Sequence, residues 1–160
     1  LVAASNPCPC GNFGDEEKRC ICTNSQIRMY RRKLSGPLMD RIDLMISIPA
    51  VKYEKLVMPD EVNSSLKIRK EVERAREIQK QRFGKSLTNS EMELPQIKKY
   101  CQVDSTSEGL LRRYVDSGKL SARGYYRVLK VARTIADLEE SEEIKHSHIA
   151  EALMYRVKED

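Results

Sequence analysis

Apolar and polar positions follow two different periods along the chain. Residues 1–5 form a short apolar run that ends at Asn6 and Pro7, which predicts a buried strand terminating in a loop. Residues 42–48 carry isoleucine or leucine at every second position until Pro49, the pattern of a strand with one buried face. Two strands alone do not make a stable sheet, so we expect their sheet partners to lie outside these 160 residues.

Helical periodicity dominates the rest of the chain. Thr23 with Gln26 three residues later is a capping-box pattern, which predicts a helix over residues 24–33. Apolar residues at three- and four-residue spacing predict the longest helix over residues 60–83, ending before Gly84. Short turns separate further predicted helices over 95–101, 105–116, 121–138 and 147–157 and indicate a small bundle. The predicted fold class is mainly α with two strands at the front.

Composition indicates where such a chain would work. No run of about 18 apolar residues could span a bilayer, and the first residues lack the basic and apolar regions of a signal peptide. We therefore expect a cytoplasmic protein without membrane contact, whose thiols stay reduced. The first residue is Leu1 and it lies within an apolar run, so we also expect a fragment of a longer polypeptide.

Four of the five cysteines lie within fifteen positions and are the strongest candidates for metal chemistry. Two Cys-x-Cys pairs flank a loop that contains two glycines, and together they could close a tetrahedral Cys₄ zinc site. Such a site would be structural, because four protein ligands leave no open position. Unliganded thiols in a mobile loop and oxidation-prone pairs remain alternatives. The four residues are Cys8, Cys10, Cys20 and Cys22.

The remaining cysteine and the two histidines suggest no site. Cys101 has no partner in sequence and is expected to pack inside the helical part. His146 and His148 are two positions apart, which does not place them on one helix face, so we expect capping or surface roles for both.

Basic residues concentrate in two segments. Residues 67–85 contain eight basic and three acidic side chains, a net charge of 8 − 3 = +5 that equals the formal charge of the whole chain. Such a helix could contact DNA phosphates, but glutamates at three- and four-residue spacing favour pairing within the helix. A second cluster, Arg28, Arg31, Arg32 and Lys33, belongs to the predicted helix at 24–33. Neither cluster is interleaved with aromatic residues, so no base-stacking surface is evident.

Three segments carry a family resemblance: LVAASNPCPCG, LSGPLMDRIDL and LSARGYYRVLKVARTIADL. In this order they resemble the C-terminal part of the ComM/YifB family of magnesium-chelatase-like AAA+ ATPases, and the resemblance covers nearly the whole chain. Ser5 stands where the first motif would have Met, and the polar Asn6 that follows is kept.

The resemblance implies roles for three polar residues. Asn6 aligns with sensor 1, which orients the attacking water, and Arg41 aligns with the arginine finger that reaches the neighbouring protomer's nucleotide. Arg123 aligns with sensor 2 of the helical lid, although the protomer whose nucleotide it contacts stays open, because a long helix displaces the lid in this clade. An arginine's planar fork suits a transferred phosphoryl group. From the residues alone, Asn6 also fits a turn and Arg41 a surface ion pair with its flanking aspartates.

The resemblance also implies an organisation and a function. Residues 1–50 would be the C-terminal remnant of the AAA+ α/β core, 51–94 a connecting long helix, and 95–160 the helical lid. The full-length protein would be a hexamer that uses ATP with Mg²⁺ and acts on single-stranded or branched DNA, as a branch-migration helicase in recombination and natural transformation. No G-x-x-x-x-G-K-[ST] occurs in the sequence, so the chain alone is expected to be inactive.

Two other functions stay open at this point. The chain could belong to the motor subunit of a magnesium chelatase, which would share the arginine finger and the lid. It could also be a zinc-stapled module that binds nucleic acid without any ATPase role.

Overall fold

The computed structural model describes residues 1–15, 17–33, 36–49, 53 and 65–156. The chain separates into two compact units. Unit 1 comprises Leu1–Ile42 and Ser47–Met58, and unit 2 comprises Asp43–Ile46 and Pro59–Asp160. No helix in the described part of the chain is both long and apolar enough to cross a membrane.

Unit 1 contains a cysteine-rich loop followed by two helices. Helix α1 is Asn24–Arg32 and α2 is Gly36–Met39. The predicted capping box is confirmed, because the Gln26 N–H donates to Thr23 Oγ1 at 3.3 Å and the Thr23 N–H donates to Gln26 Oε1 at 2.8 Å. Ile27 is buried, whereas Leu34, which at i+7 would share its helix face, lies outside the described residues.

Unit 2 carries the long helix and the predicted bundle. Helix α3 is Ser65–Phe83; residues 60–64 of the predicted helix lie outside the described part of the chain. A short 3₁₀ turn, Asn89–Glu91, leads into α4, Leu94–Tyr100, with a proline in its first turn. Helices α5, Ser105–Asp116, α6, Ala122–Leu138, and α7, His146–Met154, complete the bundle. The mainly α fold is confirmed.

Helix α6 lies at the centre of the core. Its apolar stripe is buried along Val128, Leu129, Ala132, Ile135 and Ala136, and Leu138 at the end of the stripe is exposed. Side chains from α4, α5, α7 and the connecting turns pack against this stripe in one cluster. Unit 2 is therefore a helical bundle built around one amphipathic helix.

A buried polar network ties α3 and the 3₁₀ turn to α6. The Asp137 carboxylate is fully buried and accepts hydrogen bonds from Arg82 of α3, from Asn89 of the 3₁₀ turn and from Arg133 one turn earlier in α6. Two N–H groups of Arg82 bond to the two Asp137 oxygens, a bidentate pairing. Arg133 also donates to the carbonyls of Ser141 and Glu142, at 2.5 and 2.8 Å. The network fixes the C-terminal end of α3 to the bundle.

The two predicted strands are not found. Neither residues 1–5 nor residues 42–48 pair in a sheet within the described part of the chain. Leu1 and Val2 are fully exposed, and Leu44, Ile46 and Ile48 are more than half exposed, so the expectation of buried strand faces is wrong here. The physical reason is that a strand is stabilised by ladder partners and a covering layer, and the described residues provide neither.

Candidate metal centre

The four clustered cysteines converge on one point in unit 1. Their sulfur atoms all lie within 4.8 Å of one another. Cys8 Sγ is 3.4 Å from Cys10 Sγ and 3.7 Å from Cys20 Sγ, and the Cys10 and Cys20 sulfurs are 3.6 Å apart. A disulfide would need about 2.05 Å, so these are free thiols.

Glycine turns make this convergence possible. The Gly11 N–H donates to the Cys8 carbonyl at 3.0 Å, which closes the first Cys-x-Cys pair into a tight turn. Gly11 and Gly14 have φ values of 85° and 83°, in the left-handed region that a side chain disfavours. The chain thereby reverses, and Cys20 returns to the sulfurs of Cys8 and Cys10.

Backbone amides around the cluster point at sulfur. N–H groups of Asn12 and Ile21 hydrogen-bond to Cys10 and lower its pKa to about 6. The N–H of Cys22 bonds to Cys20 and acts to lower that pKa, but desolvation and the neighbouring Cys10 and Cys8 raise it overall. Desolvation, with contributions from Cys10 and Cys8, raises the pKa of Cys22 to about 12. Ionisation of one thiol therefore disfavours ionisation of the next, unless a cation lies between them.

The arrangement fits a tetrahedral zinc ion. Four sulfurs bound at ~2.3 Å to one Zn²⁺ lie about 3.8 Å apart, close to the sulfur separations of this cluster. Amide donors to the sulfurs are the outer-shell contacts that stabilise thiolate ligands. A bound divalent cation would remove the mutual opposition of the thiolates. Cys8, Cys10, Cys20 and Cys22 could thus hold structural zinc.

The predicted nucleotide residues lie at exposed positions. Arg41 is exposed in the turn after α2, where its N–H donates to the Leu38 carbonyl at 2.9 Å. Arg123 is exposed in the first turn of α6, directly after the N-cap Ser121. Asn6 is exposed, and its side chain lies about 4.0 Å from the position that a Cβ on Gly11 would take. The structure thus places Asn6 beside the cysteine loop.

Cys101 and His148 have internal roles. Cys101 is buried in the core of unit 2 as expected, and burial raises its pKa to about 11. His148 is fully buried, so a surface role is wrong for it, but the capping role is confirmed. Its Nδ1 accepts from the Lys145 N–H at 3.0 Å, and its Nε2 therefore donates to Glu139 at 2.9 Å. His146 is exposed.

Two further contacts were not expected from the sequence. Arg82, counted above among the possible DNA-binding cations, lies in the buried network with Asp137. Phe13 of the cysteine loop lies under the Arg31 guanidinium of α1, 4.7 Å from the ring centroid. The partners are 55 and 18 positions apart, so local spacing carries no signal for either contact.

Family models and curated relatives match nearly the whole length of the chain. Residues 62–156 match the family model described as magnesium chelatase, subunit ChlI C-terminal, and residues 1–56 match that of magnesium chelatase, subunit ChlI. The chain is 38% identical over 157 residues to competence protein ComM of Haemophilus influenzae, covering 98% of this chain and 30% of that protein. It is 39% identical over 159 residues to the uncharacterized protein YifB of Escherichia coli, with the same coverage. An uncharacterized protein of Mycobacterium tuberculosis is 35% identical over 158 residues, 98% of this chain and 31% of that protein.

Proposed function

Because the chain belongs to the magnesium chelatase ChlI family, with ComM and YifB among its relatives, we propose that it is the C-terminal portion of a ComM-like AAA+ ATPase. The whole protein would be a cytoplasmic hexamer that hydrolyses ATP with Mg²⁺ and drives branch migration on DNA, in recombination and natural transformation. The chain spans about 30% of the length of the curated relatives it matches, so this activity needs the remaining length. We expect the 160 residues alone not to hydrolyse ATP, because the phosphate-binding loop motif is missing from their sequence.

The observation that carries the proposal is the exposure of both candidate arginines. A guanidinium that stabilises a neighbouring protomer's phosphates must reach beyond its own packing, and neither Arg41 nor Arg123 is buried. Arg123 also lies at the N-terminal end of a 17-residue helix, where orphan N–H groups and the helix dipole favour an anion. Arg41 would be the arginine finger and Arg123 the sensor 2 residue.

Asn6 would be the sensor 1 residue, and the zinc site would support it. A sensor must hold a water in one orientation, which requires a fixed backbone. Asn6 comes two residues before Cys8, and its side chain lies beside Gly11 in the turn that brings Cys8 to Cys10. Zinc at the four sulfurs would therefore fix the loop on which the proposed sensor depends.

The test is made on the full-length protein by mixing subunits. Wild-type protein is mixed with increasing fractions of Arg41→Ala, and ATP turnover is measured per wild-type subunit. An arginine delivered in trans contributes on the order of 10³ to 10⁵ in rate, so turnover per wild-type subunit should fall as the variant fraction rises. Arg69→Ala is the matched control, since Arg69 is an exposed arginine paired with Glu73 on α3. Unchanged turnover in the Arg41→Ala mixtures would contradict the proposal.

A magnesium chelatase motor is the second candidate, favoured by the descriptions of both matching family models. The two candidates differ in what stimulates the ATPase. A ComM-like motor should respond to branched DNA and not to a porphyrin-chelatase partner. Stimulation by the chelatase partner and no response to DNA would favour the second candidate.

A further inference from the structure

The two basic helices of this chain use their charges differently. On α3, three cations form ion pairs with exposed acids: Arg69 with Glu73 at 3.0 Å, Arg74 with Glu140 at 3.3 Å, and Lys80 with Glu77 at 3.8 Å. Arg82 lies in the network around Asp137. Much of the positive charge of α3 is therefore already neutralised within unit 2.

The cations of α1 form no such ion pairs within the described part of the chain. Residues 24–33 contain four basic side chains and no acidic one. Arg28, Arg31 and Arg32 follow at i, i+3 and i+4, which places them on one face of the helix. All three are exposed, and none forms an ion pair with any residue that the structure describes. Ile27, one turn before Arg31, is buried at the edge of this face.

The cysteine loop adds an aromatic side chain to this face. Phe13 lies between the two Cys-x-Cys pairs, is 40% exposed, and has the Arg31 guanidinium over its ring at 4.7 Å. The loop also carries acids at residues 15–17 against Lys18 and Arg19, so the positive charge is concentrated on α1. Phe13 belongs to the turn between the four cysteines, so zinc bound to them would fix its position.

We propose that α1 and the cysteine loop together bind single-stranded DNA, with phosphates on Arg28, Arg31 and Arg32 and a base on Phe13. The inference rests on the proposed DNA function and assigns it a site. A single strand offers backbone charge and unstacked bases together, and it is bound by cations placed beside an aromatic side chain. A duplex keeps its bases stacked and would use only the arginines, and an acidic peptide would not use the ring. We call this site the α1–loop surface.

The test measures the affinity of the zinc-loaded chain for a fluorescent oligothymidylate by anisotropy over a range of salt concentrations. The triple variant Arg28→Ala, Arg31→Ala, Arg32→Ala should bind about tenfold more weakly or worse. The salt slope, which is the slope of the logarithm of the affinity against the logarithm of the salt concentration, should be smaller in magnitude by about 2. Each phosphate contact on a single strand contributes roughly 0.7 to this slope. The matched control Arg69→Ala, Arg74→Ala, Lys80→Ala removes the same charge from α3 and should change the affinity by less than about twofold.

Two further variants separate charge from packing. Replacing the same three arginines with lysine keeps the charges, so the lysine variant should bind within about threefold of wild type. Phe13→Ala should lower the affinity about fivefold or more with an unchanged salt slope, whereas Phe13→Tyr should retain binding. Circular dichroism and zinc content of each variant report whether unit 1 stays folded.

The outcomes distinguish this inference from the proposed function. Equal losses in the α1 and α3 variants, or a lysine variant as weak as the alanine variant, would overturn the α1–loop surface. Tighter binding of duplex than of single-stranded probe, with Phe13→Ala silent, would also overturn it. In either case, stimulation of the full-length ATPase by branched DNA would leave the proposed function standing, because that assay does not depend on where DNA binds.

Discussion

Units 1 and 2 differ in how much apolar surface their helices bury. Within the described residues, unit 2 encloses a continuous cluster of fourteen buried apolar side chains around α6. The described part of unit 1 buries only Cys8 and Ile27 among its apolar residues. A segment that buries so little apolar surface cannot offset the conformational entropy of an ordered chain, and four metal ligands are one of the few substitutes. We therefore propose that one polypeptide combines a unit stabilised by its core with a unit stabilised by bound metal.

The largest expected effect comes from removing the metal. A strong chelator should abolish amide protection over residues 1–33, because structural zinc contributes on the order of 10 kcal/mol to domains of this kind. Helices α4 to α7 should keep their protection. Hydrogen exchange followed by mass spectrometry measures both units in one sample.

Cysteine variants provide the matched control for this experiment. Cys20→Ser should reproduce the effect of the chelator and lower the zinc content from about one per chain to zero. Cys101→Ala, in the core of unit 2, should leave the zinc content unchanged. If the wild-type chain, purified without chelator under reducing conditions, contains no zinc, the metal centre proposal is wrong.

The next largest effect is expected in unit 2, at Asp137. Asp137→Ala leaves the guanidiniums of Arg82 and Arg133 without their buried carboxylate, and breaking such a pair costs about 3–5 kcal/mol. Urea unfolding followed by circular dichroism measures the loss. The exposed α3 pair gives the control, since Glu73→Ala should cost less than about 0.5 kcal/mol. Equal effects of the two substitutions would mean that the network is not a buried element of the fold.

An N-cap side chain can be removed from a helix in each of the two units. Asp104 accepts the Ser107 N–H at 2.8 Å at the start of α5, and Thr23 accepts the Gln26 N–H at 3.3 Å at the start of α1. Asp104→Ala should destabilise unit 2 by about 1 kcal/mol in urea unfolding. Thr23→Ala should lower the protection of α1 by a similar amount only while zinc is bound. A measurable effect of Thr23→Ala in the zinc-free chain would contradict the division into two modes of stabilisation.

The smallest effect is a pH dependence at the end of α6. The hydrogen bond from His148 lowers the pKa of the Glu139 carboxyl below its ordinary value. The folded state therefore gains stability from this group above the unfolded pKa of roughly 4.3, and loses it as the pH falls through the lower folded value. Glu139→Gln should flatten the acid side of the stability profile of unit 2, measured by urea midpoints between about pH 3 and 6. An unchanged profile would show that the contact does not couple to folding.

The helices of unit 2 could be predicted because local signals and packing agree there. The apolar stripe of α6 is buried at Val128, Leu129, Ala132, Ile135 and Ala136, and Ser121, the predicted first residue of this helix, is its N-cap. Along α3 the same reasoning was less accurate. Of the apolar residues whose spacing predicts this helix, Ala75 is buried, but Leu66, Ile68 and Val72 are exposed. Helical spacing identifies the apolar face but does not say whether the described residues cover it.

Part of the candidate site could be predicted from the sequence. Cysteine spacing was enough to predict a cluster of four thiols, because glycine turns can bring neighbouring pairs together. Pairing of the α3 cations was expected in part from i,i+4 spacing, as Arg69 and Glu73 confirm. The contact between Phe13 and Arg31 could not be predicted, since it depends on the path of the loop around the sulfurs. The roles of Asn6, Arg41 and Arg123 stay predictions.

The attachment of α3 along its second half has a mechanical consequence. Arg82 joins the last turn of this 19-residue helix to Asp137, and Arg74 in the middle of the helix pairs with Glu140, while apolar side chains near Ser65 stay exposed. At about 1.5 Å per residue the start of the helix lies about 14 Å from Arg74, so a bundle rotation of about 10° about that point would displace it by roughly 2 Å. The first half of α3 is in this sense a lever arm, because its length turns a small rotation of the bundle into a displacement of its free end.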